Sequence, residues 1–391
     1  MRTSKACLMI VAGERSGEVY GAALARALRT RASSIVIFGC GGEAMRQAGV
    51  ETVVDAHQIA LIGISEVLAG LPRAWRALSR LTREAARRRP NGAVLIDFPD
   101  FNLRLARRLK RLGVPVIYFV SPQVWAWRAG RLTELRATIR KMLCIFDFEK
   151  EIYQQAGIPV EFVGHPLMDL AGVESSREEF FARAGLKAGV PTVALLPGSR
   201  MSEVVHHLPR MLEAATEIAA RRPLQFVLSA APALDMPRLE SLMRRRYAGA
   251  APLRRVTGMT HGALEHSTLA IVASGTATLE AAMCERPMIV VYRVSPATAW
   301  FARRLVKVPF YSMVNLLAAR EVVPELIQND FSAKNLARQA EFLLNHPEAR
   351  EKMVEGLRGV KGRLGPGGAI ERAAEAVWRE LELGGASLSA A

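Results

Sequence analysis

The chain has 391 residues, half of them apolar and 23% charged, and its 53 Lys/Arg against 37 Asp/Glu give a net charge of +16. That is long and apolar enough for two cored domains and excludes a wholly disordered chain. Cys7, Cys40, Cys144 and Cys284 are scattered, with no CxxC pair and no histidine at metal spacing, which excludes a disulfide scaffold or zinc module and fits a reduced cytoplasmic protein.

The opening apolar run in "ACLMIVAGER" leads straight into charge and is too short for a signal-peptide core, so it predicts a first buried strand. No stretch approaches the roughly 20 apolar residues of a membrane span, so a soluble or peripheral protein is expected. Further strands are predicted at "SIVIFG", "GAVLID", "VPVIYFV" and "KMLCIF", alternating with helical patterns such as "VYGAALARALRT" and "NLRLARRLKRLG". In "FGCGGEAM", Gly39, Gly41 and Ala44 match a loose dinucleotide fingerprint. It follows the second strand and no acidic residue closes the unit, so a tight turn is expected instead. The alternation restarts after Val163 with "TVALLPGSR", "LQFVLSA", "LAIVASG" and "MIVVYRV". Residues 171–190 read as a connection, and from Ser332 onward the pattern is helical. The expectation is an α/β protein of two Rossmann-like doubly wound domains, 1–170 and 171–335, followed by C-terminal helices 336–391.

Basic charge concentrates between Arg73 and Lys141, with 17 Lys/Arg against Glu84, Asp97, Asp100 and Glu134. Such a field favours nucleic acid, an anionic membrane face or phosphorylated substrates. Val67, Leu68, Leu71, Trp75 and Leu78 recur at helical spacing while Arg73, Arg76 and Arg80 take the other side, despite Pro72. This is either an amphipathic membrane-contact helix or an ordinary packed helix with a solvated face.

Doubly wound sheets bind ligands at the carboxyl ends of their strands. There, "VAGERSGEVYG" turns at Gly13 into a helix whose N–H groups suit an anion or sugar hydroxyl, with Ser16 equally suited to a helix cap. In "IDFPDFN", Asp97 ends a strand and Pro99 stops it. Asp100 suits an N-cap for a helix from about Phe101, and Asn102 can hydrogen-bond nearby. In "LLPGSRMSEVVHHL", Ser199 and Arg200 open a helix; a guanidinium fork fits a diphosphate, whereas His206 and His207 read as surface residues. In "VASGTATLE", Ser274, Gly275 and Thr276 form a second anion cradle. Glu280, one turn in and beside the small apolar Ala281 and Ala282, suits a ribose diol. Asp147 and Glu149 in "FDFEK" lack a supporting carboxylate, so no metal site is expected.

These stretches, with "IGISEVL", "YFVSPQVWAWR", "FEKEIY", "FVGHPLMD", "YRVSP" and "VNLLAAREVVPELIQ", resemble the lipid-A-disaccharide synthases, glycosyltransferases of the GT-B fold. The likeness runs from Gly13 to about Gln328 and departs at Arg15, where a small residue is more usual. The resemblance implies two Rossmann-like domains facing a cleft and an inverting, metal-independent transfer. The donor is UDP-2,3-diacylglucosamine and the acceptor 2,3-diacylglucosamine 1-phosphate; a β-1,6 disaccharide and UDP result, with no cofactor. It implies that Ser199, Arg200, Ser274, Gly275, Thr276, Glu280 and Asn315 hold UDP. Glu14, Ser16, Gly17, Asp100, Asn102, Trp125 and Arg128 contact substrate, with Asp97 as general base. Acylated substrates favour the membrane reading of Val67, Leu68, Leu71, Arg73, Trp75 and Arg76, hence a cytoplasmic protein peripheral on the inner face of the bacterial inner membrane. A homodimer is compatible, because the terminal helices can fold back on the first domain or exchange onto a partner subunit. Another UDP-sugar GT-B enzyme, such as a peptidoglycan N-acetylglucosaminyltransferase or a UDP-sugar epimerase, is the alternative but should lack "VSPQVWAWR". A nucleic-acid partner is not expected: aromatics are 6% of the chain and do not interleave with the basic residues.

Overall fold

The computed structural model describes residues 6–56, 67–122, 124, 130–170, 176–247, 249, 251–296, 299 and 309–388, without the side chains of 67–71 and 383–388. The chain divides into two compact units, Met1–Asp169 with Leu364–Ala391, and Leu170–Arg363.

The first unit carries seven strands: β1 (Cys7–Ala12), β2 (Val36–Gly41), β3 (Glu51–Asp55), β4 (Gly92–Ile96), β5 (Val116–Phe119), β6 (Lys141–Cys144) and β7 (Val160–Phe162). They form one parallel sheet in the order β3-β2-β1-β4-β5-β6-β7. Helices α1 (Arg15–Arg31), α2 (Glu43–Gln47), α3 (Val67–Arg88), α4 (Pro99–Arg111), α5 (Arg131–Thr138), α6 (Asp147–Gln155) and α7 (Leu167–Leu170) connect them. Strand β4 is buried along its whole length, as a central parallel strand covered on both faces must be, and that is why it reads as an unbroken apolar run.

The second unit begins with α8 (Arg177–Ala184), capped by the Ser176 hydroxyl and Glu179. Strands β8 (Thr192–Leu196), β9 (Gln225–Ala230), β10 (Leu253–Thr257), β11 (Leu269–Ala273), β12 (Met288–Tyr292) and β13 (Glu325–Ile327) form a parallel sheet ordered β10-β9-β8-β11-β12-β13. Its helices are α9 (Met201–Ala219), α10 (Met236–Arg246), α11 (Thr260–Glu265), α12 (Thr276–Met283), α13 (Met313–Ala318), α14 (Ala333–Asn345) and α15 (Pro347–Arg363).

The sequence placed a boundary at residue 335, whereas the structure divides the chain at Arg363. The apolar face of α14, with Leu336, Ala337, Ala340 and Leu343 buried, packs on α9, and Arg221 meets Glu341 at 2.6 Å. Only the last helix, α16 (Ala369–Leu388), returns to the first unit of the same chain, against α1 and β4. Leu381 lies so close to Gly92 that a Cβ there would stand 3.0 Å from it. Asp169 caps this returning helix, its Oδ2 accepting from the Ile370 N–H at 2.7 Å, and Arg372 donates to the Val163 carbonyl at 2.9 Å.

Candidate active site

In each sheet the strand order reverses once, between β1 and β4 and between β8 and β11. Loops leaving the carboxyl ends at such a point diverge and leave a crevice. The four loops singled out from the sequence are the four at these two positions: 13–14 after β1, 97–98 after β4, 197–200 after β8 and 274–275 after β11.

In the first unit the two loops touch. A Cβ on Gly13 would stand 2.3 Å from the Phe98 ring, so only glycine admits that ring over the β1 turn. Glu14, half-buried, is the N-cap of α1; Arg15 is exposed and Ser16 half-buried in its first turn. Gly17, expected to contact substrate, is instead buried with its α-carbon against Ile96 and Ala12, where it lets α1 approach the sheet.

Asp97 is half-buried at the end of β4. Asp97 and Phe98 have φ of 47° and 48°, two consecutive left-handed residues that cost on the order of 1–2 kcal/mol each. Two side chains meet the Asp97 carbonyl: the Tyr118 hydroxyl at 2.6 Å and Asn102 Nδ2 at 2.7 Å. Asn102 also donates to the Ile96 carbonyl at 3.1 Å and is fully buried, so it is a brace rather than a substrate contact. Asp100 does not cap the helix. Pro99 opens α4, Phe98 is its N-cap residue, and exposed Asp100 in the first turn pairs with Arg131. The turn after β5 is also left-handed, at Val120 with φ 64°, and Ser121 is fixed by Tyr153 at 2.5 Å. Trp125 and Arg128 lie outside the described residues.

The "FGCGGEAM" turn is structural: Glu18 of α1 accepts the Ala44 N–H at 2.8 Å, filling the start of α2. Glu149, buried, accepts from the Phe146 N–H at 3.3 Å. No group of three or more potential metal ligands is present among the described residues.

In the second unit Gly198, with φ of 119°, turns the chain into α9, whose N-cap is Arg200. The N–H groups of Ser199 and Arg200 converge on one oxygen of Glu203, at 3.1 and 3.3 Å. The Glu203 carboxylate thus closes a capping box on these two donors, and a phosphate would reach them by displacing it. The exposed Arg200 guanidinium reaches the other Glu203 oxygen at 3.5 Å. His207, expected at the surface, is fully buried. Its Nδ1 donates to the Pro197 carbonyl at 2.8 Å and its Nε2 accepts from the Arg293 N–H at 2.9 Å, tying the β8 turn to the β12 turn. Burial pushes its pKa down, keeping the ring neutral.

After β11, Gly275 has φ of 151° and nothing lies within 4 Å of where a Cβ would stand. Thr276 begins α12, and Glu280 sits half-buried one turn along. The Ser274 hydroxyl donates to the Tyr311 carbonyl at 2.8 Å, binding this loop to the segment before α13. Asn315 does not offer itself to a ligand. It is fully buried; Nδ2 donates to Val323 O and Glu325 Oε1, each at 2.8 Å, and Oδ1 accepts from Val322 and Val323 at 2.8 and 3.0 Å. Glu325 in turn accepts from the N–H groups of Tyr311 and Ser312 at 2.7 and 2.9 Å. Neither Glu325 nor Tyr118 is marked by any motif in the sequence. Glu203 was readable, from its capping-box spacing behind Arg200.

Of the expected membrane-contact residues, Arg73, Trp75 and Arg76 are exposed, Trp75 with 58% of its surface, and the side chains of Val67, Leu68 and Leu71 lie outside the described residues. Arg108 of α4 lies over the Trp75 ring at 5.0 Å. No helix among the described residues is long and apolar enough to cross a membrane.

Among solved structures, the UDP-GlcNAc 2-epimerase of Neisseria meningitidis bound to UDP-GlcNAc is similar with a TM-score of 0.66 at 14% identity, over 95% of this chain and 100% of that one. The calicheamicin glycosyltransferase CalG4 gives 0.59 at 16% identity, over 98% and 99%. At such identities these show the fold alone: two Rossmann-like domains, the GT-B fold of glycosyltransferases and epimerases. Sequence relatives are far closer. The lipid-A-disaccharide synthase of Myxococcus xanthus is 44% identical over 378 residues, 96% of this chain and 98% of its own length. That of Solibacter usitatus is 44% identical over 377 residues, 96% and 97%. The epimerase alternative is therefore not favoured. The family model for lipid-A-disaccharide synthetase matches residues 8–367, and the chain belongs to that family of glycosyltransferases of lipid A biosynthesis.

Proposed function

We propose that the protein transfers 2,3-diacylglucosamine from UDP to the C6 hydroxyl of 2,3-diacylglucosamine 1-phosphate, inverting the anomeric carbon and releasing UDP. Asp97 takes the acceptor hydroxyl proton, and the freed oxygen attacks the anomeric carbon as its bond to the diphosphate breaks. Charge developing on the leaving diphosphate falls to the N–H groups of Ser199 and Arg200, the Arg200 guanidinium and the start of α12. Glu280 grips the ribose diol. Glu14 and Ser16 line the acceptor side.

The observation that carries this reading is that the two expected anion-binding turns leave the two strands flanking one switch point, while Asp97 leaves the corresponding switch point of the other sheet. No step calls on a metal ion. The reading also places the protein on the inner face of the inner membrane, where acylated substrates reside, held by the exposed Arg73, Trp75 and Arg76.

The test is to incubate purified protein with both lipids in detergent and EDTA and to look for the disaccharide 1-phosphate and UDP by mass. Product at an undiminished rate is expected. Absence of product with both lipids dispersed overturns the reading, and a UDP-sugar whose 2-epimer accumulates instead would make the protein an epimerase.

A further inference from the structure

We propose that Tyr118 and Asn102 are positioning residues that hold Asp97 in its working orientation by clamping its backbone carbonyl. The proposal rests on the reading of Asp97 as general base.

A residue at the end of a parallel strand ordinarily leaves in an extended or right-handed conformation. Asp97 and Phe98 instead both turn left-handed, at φ 47° and 48°. Aspartate enters this region more readily than most residues, but phenylalanine does so rarely, and two such residues in succession are uncommon. The conformation persists because its surroundings over-determine it. The Asp97 N–H donates to the Phe119 carbonyl at 3.1 Å, continuing the ladder with β5 one residue past the strand. Its carbonyl then accepts from Tyr118 Oη at 2.6 Å and from Asn102 Nδ2 at 2.7 Å. Immediately behind, the Phe98 ring is seated on Gly13 and stacks on Phe101 with centroids 5.5 Å apart. Peptide groups on both sides of the Asp97 α-carbon are thus fixed, and with them the direction in which its side chain leaves the backbone.

Both groups of the clamp are fully buried. The Tyr118 hydroxyl donates to the Asp97 carbonyl and lies beside the Asn102 side chain. Burial drives its pKa well above the ordinary tyrosine value, so the hydroxyl stays a donor throughout any working pH range. Asn102 is fully buried too, and its Oδ1 has no hydrogen-bond partner among the described residues. An orphaned buried acceptor is destabilising, because it has lost its water and gained no donor. A leucine would fill the space without that cost, so the amide is retained for what its Nδ2 does: hold the Ile96 and Asp97 carbonyls.

The experiment compares Tyr118→Phe, Asn102→Leu, Asp97→Asn and the Tyr118→Phe/Asp97→Asn double variant, each checked for a cooperative melt. Misplacing a base by an ångström costs up to about 100-fold in rate. Tyr118→Phe and Asn102→Leu are expected to lower kcat by about 10- to 100-fold while KM for both substrates stays within about twofold. In the Asp97→Asn background, Tyr118→Phe should add nothing, because the clamp acts only through that carboxylate. Wild-type kcat in Tyr118→Phe, or a full additive loss in the double variant, overturns the clamp while leaving the base reading intact. An Asp97→Asn enzyme that turns over normally overturns the base reading itself, a result distinct from either. If Tyr118→Phe fails to fold, Asn102→Leu decides by the same criteria.

Discussion

Asp97 and Asp100 stand three positions apart and divide sharply. One is held in a left-handed turn at the switch point; the other lies exposed in the first turn of α4 against Arg131. Asp97→Asn should lower kcat by about 100- to 10,000-fold, as loss of a general base does, with UDP affinity by calorimetry unchanged. Asp100→Asn should leave kcat near wild type and shift the urea midpoint by no more than an exposed ion pair allows, about 1 kcal/mol or less. Arg200→Lys, by contrast, keeps the charge but loses the fork, and should weaken UDP binding about tenfold or more. Asn315→Ala should cost about 1–3 kcal/mol in stability, because it strands the buried N–H groups of Val322 and Val323. His165 gives a pH dependence. It is 2% exposed, and burial lowers its pKa to about 3 from an ordinary 6.5. Between those values the unfolded chain binds a proton the folded one refuses. Its contribution is therefore whole above about pH 6.5 and falls away as pH drops toward 3, with His207 acting in the same direction. Urea midpoints at pH 7 and 5 should differ, and by less in His165→Gln. At this scale the turns at the two switch points were legible because Gly- and Ser-bearing stretches follow straight after apolar runs. Tyr118, His207 and Glu325 were not, because each reaches its partner from another element and nothing in local spacing records that.

Among elements, the sequence showed nine strands and the described residues form thirteen. The four it did not show, β3, β7, β10 and β13, are the four edges of the two sheets. An edge strand has a neighbour on one side only and is partly solvated: three of the five residues of β10 are exposed and β7 has no buried residue at all. Such strands carry no unbroken apolar run to read. Helix α3 shows a similar split along its length. Leu78, Leu81 and Ala85 are buried like any packed helix, whereas Arg73, Trp75 and Arg76 are exposed. The packed-helix reading describes its second half, and the membrane reading of the exposed half has its own test. Arg73→Glu with Arg76→Glu should reduce co-sedimentation with anionic vesicles while the melting temperature stays put, since neither residue packs in the core. Unchanged sedimentation would remove α3 as an anchor.

On the scale of the whole molecule, the division into two nucleotide-type units was readable from the restart of the strand–helix alternation after Val163. The return of the last helix was not, because an amphipathic helix does not say which surface will cover it. Removing residues 364–391 should expose Ala373, Val377 and Leu381's seat on α1 and β4, abolishing acceptor-side activity and lowering the melting temperature of the first unit. UDP binding by the second unit should survive, and calorimetry on the truncated chain checks this. The interrupted first unit also sets a timetable. Its first 169 residues leave the ribosome early but await a helix whose first residue is Ala369, while the second unit is complete in sequence before that helix is made. At about 5–20 residues per second, the unit that carries Asp97 waits some tens of seconds without its final cover. The second unit is thus positioned to fold first, and any chain stalled before its end carries an apolar groove for a chaperone to hold.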